Sequence, residues 1–177
     1  MKLLKTLALS TALIVVAGPA LAEKTTGPMV DDSLIQGEIK AKLVAEDITG
    51  GMGLNLETRK GVVQLGGFVD DTDKAGKMAE LAATVDGVKK VDNQLHAKRG
   101  KRSTGRAIDD GIATTRVKTA IASADLGDGV TINIDTYNGV MLLTGFADTA
   151  ASKQRAGELA AADDNVEDVI NGIYVMK

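Results

Sequence analysis

The chain has 177 residues, of which 44% are hydrophobic, 25% are charged and only 2% are aromatic. This is the composition of a globular protein, and so few aromatic side chains cannot form a stacking platform for nucleobases or sugars. The chain has no cysteine and a single histidine, His96, so it lacks disulfides and any recognisable nucleophile, metal or cofactor pattern. We therefore expect no catalysis, no cofactor and no nucleic-acid partner.

Residues 1–22 have the pattern of a signal peptide. Lys2 and Lys5 form a positive n-region, residues 7–17 are apolar, and Ala20-Leu21-Ala22 matches the Ala-x-Ala cleavage pattern. The apolar stretch is shorter than the roughly 20 residues that a membrane-spanning helix needs. We expect cleavage after Ala22 and a periplasmic mature protein without a transmembrane segment, although release from the cell would leave the same pattern.

The rest of the chain is a tandem repeat. A constant offset of 78 aligns the two copies without a gap, placing Asn55 on Asn133 and Gly67-Phe68 on Gly145-Phe146. Two long copies are typical of tandem small domains rather than of a solenoid. We assign residues 30–97 and 108–177 to two domains, joined by residues 98–107.

Each copy shows the same order of elements, helix, strand, strand, helix and strand. In the first copy the pattern predicts a helix from Asp31 or Asp32 to about Ala45, with Leu34, Ile35, Ile39 and Leu43 buried. Strands follow at 54–57 and 62–69. A second helix runs from 70–73 to about 85, and a last strand lies at 88–95. In the second copy it predicts a helix through Ile112, Val117 and Ile121, strands at 130–136 and 140–146, a helix at 150–162, and a strand at 166–175. The fold class is α+β, with two αββαβ domains that each place two helices on one face of a three-stranded sheet. The uncovered sheet faces are candidates for packing against each other.

Four glycines recur at equivalent strand and turn positions. They are Gly61, Gly67, Gly139 and Gly145. A glycine in a strand usually marks a bulge or a tight strand end, and close approach of a ligand is the alternative. We interpret the four glycines as structural.

The repeated residues resemble the BON domain, a module named for bacterial osmotically inducible and nodulation proteins. The first copy carries Asn55-Leu56-x5-Val62-Val63-x-Leu65-x-Gly67 and then Asp86-Gly87-Val88-x2-Val91-x-Asn93-x-Leu95. The second copy repeats it with Val140, Leu143, Gly145, Asn165-Val166, Val169 and Asn171. The resemblance implies an αββαβ fold and non-catalytic binding to membrane phospholipid or envelope proteins. An exported chain with two such domains resembles the osmotically inducible periplasmic type.

The segment between the copies is basic, whereas both copies are acidic. Residues 30–97 carry a net charge of −4 and residues 108–177 a net charge of −6, while residues 98–107 hold five cations and no acid. The interleaved Gly, Ser and Thr residues predict an exposed linker. Each cation near an anionic membrane can add about 1 kcal/mol of attraction. We predict that the lipid-binding residues are Lys98, Arg99, Lys101, Arg102 and Arg106.

These observations predict an exported envelope or osmotic-stress protein that binds anionic phospholipid surfaces or envelope proteins. The alternative is a periplasmic protein-binding or chaperone-like module with no specific role for lipid.

Overall fold

A computed structural model of the protein describes residues 31–48 and 53–177, and the predicted signal peptide lies outside the described residues. The elements in chain order are α1 (Asp32–Ala45), β1 (Asn55–Arg59), β2 (Val62–Val69), α2 (Thr72–Ala83), β3 (Lys90–Ala97), α3 (Thr104–Ser123), β4 (Thr131–Tyr137), β5 (Val140–Ala147), α4 (Ala150–Ala161), β6 (Asp168–Asn171) and β7 (Tyr174–Val175). The predicted α+β class with two αββαβ units is confirmed.

Each sheet is built on a central strand that pairs antiparallel on one side and parallel on the other. In the first sheet β2 lies between β1 and β3, and in the second β5 lies between β4 and the pair β6 and β7. The hairpins turn on Lys60-Gly61 and Asn138-Gly139, all four residues having φ between 51° and 79°. Positive φ at both central residues matches the twist of the flanking strands, which explains the tight two-residue turns.

The last strand of the second sheet is broken, although the sequence predicts one strand over residues 166–175. The break falls between Asn171 and Tyr174. The N–H of Gly172 donates to the carbonyl of Leu143 at 2.8 Å, and the next side chain, Ile173, is buried. The chain therefore leaves the regular ladder at Gly172 and rejoins β5 through β7.

The helices of each domain cover one face of its sheet and enclose a hydrophobic core. Ile35, Ile39 and Leu43 of α1 are buried in the first core, as predicted, but Leu34 is 68% exposed. The predicted burial of Leu34 is wrong because it lies about 100° around the helix from Ile35. On α3 the equivalent Ile112 is also exposed, and Ala113 is buried instead.

The other faces of the two sheets pack against each other. Alternate residues of the central strands are buried on this side, away from both helix-covered cores, and these are Gln64, Phe68, Leu142, Thr144 and Phe146. Both faces of β5 are thus covered, which accounts for its nearly continuous apolar sequence. The protein is a four-layer stack with helices outside and two sheets inside.

A pseudo-two-fold axis relates the two domains. Asn55 donates a side-chain hydrogen bond to Asp135, and Asn133 donates one to Glu57 at 2.7 Å. The offset of 78 converts each of these pairs into the other. Such an exchange of contacts is the signature of an isologous interface, formed here within one chain by a repeated sequence.

Candidate membrane-contact surface

The basic segment joins the domains as a short, anchored connection. The N–H of Lys98 extends the first sheet by donating to the carbonyl of Val69 at 2.8 Å. Helix α3 begins at Thr104, with Ser103 as its N-cap accepting from the N–H of Arg106. Residues 104–107, which the sequence assigned to the linker, therefore belong to the helix.

The connection lies against the β4–β5 hairpin. The hydroxyl of Tyr137 donates to the carbonyl of Gly100 at 3.0 Å, and the side-chain amide of Asn138 donates to the carbonyl of Arg99 at 2.9 Å. These bonds hold the segment on the second domain, while residues 99–105 are exposed, as the Gly, Ser and Thr content predicts.

Three of the five cations predicted to bind lipid form ion pairs within the protein. Lys98 lies 3.1 Å from Asp70, the Nε of Arg102 lies 2.8 Å from Asp110, and Arg106 pairs with Glu167. The guanidinium of Arg102 also lies 5.4 Å from the ring centroid of Tyr137. Lys98 thus pairs with the first domain and Arg102 and Arg106 pair with the second, so the three charges have partners inside the protein.

Arg102 pairs with a carboxylate that is itself buried, that of Asp110. Its side chain is 1% exposed, and its carboxylate accepts from the backbone N–H groups of Asn138 and Gly139 at 2.9 and 2.8 Å. A buried carboxylate requires such partners because burial removes its hydration. Asp110 therefore fastens α3 to the hairpin turn.

The same carboxylate contact recurs in the first domain. Asp32 accepts from the N–H groups of Lys60 and Gly61 at 2.7 and 2.8 Å, while its neighbour Asp31 caps α1. Sequence reasoning treated both aspartates as candidate helix caps and missed the contact to the turn. The available signal was the recurrence of an Asp and a turn Gly at one offset in both copies.

Arg99 and Lys101 differ from the other three cations. Both residues are exposed, and neither takes part in an ion pair within the part of the chain that the structure describes. They are the two cations of the basic segment that remain available to an external anion.

An exposed apolar row follows directly on α3. Ile108 is 59% exposed and Ile112 is 41% exposed, one helical turn apart. Arg116 continues the row, with its side chain 60% exposed and its guanidinium 3.8 Å from Asp163. Sequence reasoning did not single out Ile108 and named Ile112 only as a residue of the predicted helix. We call Arg99, Lys101, Ile108, Ile112 and Arg116 the α3 surface.

Two of the four repeated glycines have a clear geometric role. Gly67 and Gly145 have φ of 139° and 114°, and a Cβ at either would overlap a backbone carbonyl, that of Gly53 or Thr131. A close approach within the protein's own backbone explains both residues, without a ligand.

The described residues lack a cluster of side chains that could bind a metal ion. Residues 31–48 and 53–177 contain no group of three or more His, Cys, Asp or Glu side chains placed to hold a metal ion. Burial raises the pKa of Asp135, while the hydrogen bond from Asn55 and the charge of Lys118 act in the opposite direction. This carboxylate belongs to the domain interface.

None of the helices in the described segments is both long enough and apolar enough to cross a bilayer.

Comparison with known proteins gives relatives for both domains. The osmotically-inducible protein Y of Escherichia coli (strain K12) is 31% identical over 148 residues, which cover 83% of this chain and 74% of that protein. The 21 kDa hemolysin of Actinobacillus pleuropneumoniae is 36% identical over 73 residues, 41% of this chain and 38% of that protein.

Solved structures add a weaker similarity. The C-terminal domain of CdsD, a structural protein of the type III secretion system of Chlamydia trachomatis, has 16% identity and a TM-score of 0.33, with coverage of 84% of this chain and 68% of that chain. A second CdsD structure has 14% identity and a TM-score of 0.31, with coverage of 83% and 64%.

The BON domain family matches residues 31–99 and 109–177. The chain therefore belongs to the BON-domain family, with two domains in tandem.

Proposed function

We propose that this protein is a non-catalytic, exported envelope protein of the osmotic-stress type that binds anionic phospholipid surfaces through its second domain. The signal-peptide pattern supports export, and the relative named for osmotic induction supports the physiological setting. The observation that carries the lipid contact is the exposure of Ile108 and Ile112 on α3, together with the exposed cations Arg99 and Lys101 in the segment that leads into this helix.

The chemistry of this surface suits the boundary between headgroups and acyl chains. Apolar side chains on one side of a helix enter that boundary, while nearby cations attract anionic headgroups by about 1 kcal/mol each. Two isoleucines and two free cations would give weak, reversible binding. The acidic remainder of the protein opposes an anionic surface, so the molecule would approach with the start of α3 foremost.

The buried polar groups leave no sign of a reaction centre. Gln64, Asp110 and Thr144 are the buried polar or charged side chains among the described residues. Asp110 holds a hairpin turn, and the other two lie between the sheets. Their roles are structural, which supports a binding function without catalysis.

Vesicle flotation tests the proposal. The wild-type protein should float with vesicles that contain phosphatidylglycerol, should ignore pure phosphatidylcholine, and should lose binding as salt shortens the Debye length to about 8 Å at 0.15 M. Arg99→Gln/Lys101→Gln should weaken flotation. Lys74→Gln/Lys77→Gln, an equal loss of exposed charge on α2, should not.

Two results would contradict the proposal. One is a wild-type protein that fails to float with anionic vesicles at low salt. The other is equal flotation with anionic and neutral vesicles, which would favour the protein-binding alternative.

A further inference from the structure

Two contacts between the sheets lie on the pseudo-two-fold axis. Gly66 faces Thr144, and Gln94 faces Gly172. In each pair the residues differ by the offset of 78, so each residue faces its own equivalent in the other domain. Only residues on the axis can do this.

Each axial pair matches a glycine with a larger side chain. A Cβ on Gly66 would lie 2.6 Å from Cγ2 of Thr144, and a Cβ on Gly172 would lie 2.7 Å from Oε1 of Gln94. Neither glycine has positive φ, so the local backbone does not require it. The glycines leave room for the residue opposite.

Thr144 contacts the first domain by van der Waals packing. Its side chain is 1% exposed, and its hydroxyl has no hydrogen-bond partner within the described segments. A buried hydroxyl without a partner is unfavourable, so polar bonding does not explain this residue. Its close fit over Gly66 does.

The paired amide–acid contacts on either side of the axis do not distinguish the domains. Each domain offers an asparagine and an acid, Asn55 with Glu57 and Asn133 with Asp135. Two copies of the same domain could therefore form the same kind of pair twice. Discrimination must come from positions where the two domains differ.

We propose that the axial pairs Gly66–Thr144 and Gln94–Gly172 select the first domain as the partner of the second and exclude pairing between two like domains. Two second domains would place Thr144 against Thr144, where the observed spacing accommodates only a glycine on one side. Two first domains would likewise place Gln94 against Gln94. The sheet face of the second domain thus fits a first domain, from its own chain or from a second copy.

Exchanging the small and the large residue of one axial pair tests this selection in the full-length protein. The readout is amide hydrogen exchange of Gly145, whose N–H donates across the interface to Gln64. Gly66→Thr should raise the exchange rate roughly tenfold or more, because the added side chain overpacks a site that has no room for it. Gly66→Thr/Thr144→Gly should restore slow exchange. Gly76→Ala, at a glycine with open space around it, is the control.

The molar mass of the Gly66→Thr variant, in which the two sheets should separate, tests whether two copies of the same domain can pair. Gly66→Thr should remain monomeric in light scattering, since its second domains would still oppose Thr144 to Thr144. Dimers joined through second domains would overturn the proposal. Unchanged exchange of the Gly145 amide in Gly66→Thr would also overturn it. So would exchange in Gly66→Thr/Thr144→Gly that is as fast as in Gly66→Thr.

Folding of the first domain is followed separately. The amide of Lys89, which donates to the carbonyl of Gly61 within that domain, should stay protected. If Gly66→Thr unfolds the domain, Gly172→Gln and its reversal Gly172→Gln/Gln94→Gly provide the same comparison from the other pair. Failure of that reversal to restore slow Gly145 exchange would also contradict the proposal.

Discussion

Compared position by position, the first and second domains agree in the contacts that build each domain and differ at some of the positions that join them. Asp32 and Asp110 bind equivalent hairpin turns, and Gly67 and Gly145 allow equivalent close approaches of the backbone. The central residue Gln64, by contrast, corresponds to Leu142. Repeated residues specify the fold of each domain, while unrepeated residues such as Gln64 make the two sides of the interface different.

The repeated glycines should give the largest loss of stability when replaced. Gly145→Val should lower the free energy of unfolding by about 3 kcal/mol, because a branched side chain disfavours the positive φ and would overlap the Thr131 carbonyl. Gly67→Val should behave similarly. Gly111→Ala, with open space around it, is the control in urea unfolding. Val variants as stable as the control would show that the glycine geometry is not needed.

The two aspartates that bind hairpin turns should differ in magnitude. Asp110→Asn should destabilise by about 2–3 kcal/mol, because it leaves the guanidinium of Arg102 without its buried carboxylate. Asp32→Asn should cost about 1 kcal/mol, since Asp32 is only half-buried. Chemical denaturation of both variants measures the difference. Equal losses would mean that Arg102 contributes nothing at the second turn.

A smaller effect should appear in the pH dependence of the interface. The raised pKa of Asp135 means that the folded state binds its proton more tightly than the unfolded state does. The stability that this group contributes is therefore present at low pH and is lost as pH rises through the folded-state pKa. Asp135→Asn should remove this contribution while the amide oxygen still accepts from Asn55.

Denaturation of wild type and Asp135→Asn at pH 4 and pH 7 checks the sign. The variant should gain stability relative to wild type as pH rises. A gain on acidification instead would mean that Asp135 is better stabilised as an anion than its burial suggests.

The sequence predicted most of each domain because the repeat displays every element twice. The order of elements and the two hairpins followed from periodicity and turn residues. The break at Gly172 was not foreseen, because it accommodates Gln64, which donates to the Gly172 carbonyl from the other domain. A contact across 108 residues leaves no local pattern.

The candidate site was predicted less well than the fold. Charge counting found the five cations but could not show that Lys98, Arg102 and Arg106 already have acidic partners in the folded protein. Apolar periodicity predicted burial for Leu34, the equivalent of Ile112, because adjacent positions differ by only 100° around a helix. In both cases the deciding information was tertiary.

The most direct test of the account compares equivalent exposed apolar residues on the two domains. Leu34 and Ile112 occupy the same position in the repeat, and both are exposed. Ile108→Ser/Ile112→Ser should weaken binding to phosphatidylglycerol vesicles roughly tenfold or more, since partial burial of two isoleucines is worth at least about 1.4 kcal/mol. Leu34→Ser/Val44→Ser on α1 should bind like wild type, and both variants should melt like it. Equal binding by the two variants, or a loss confined to the α1 variant, would contradict the assignment of membrane contact to the second domain.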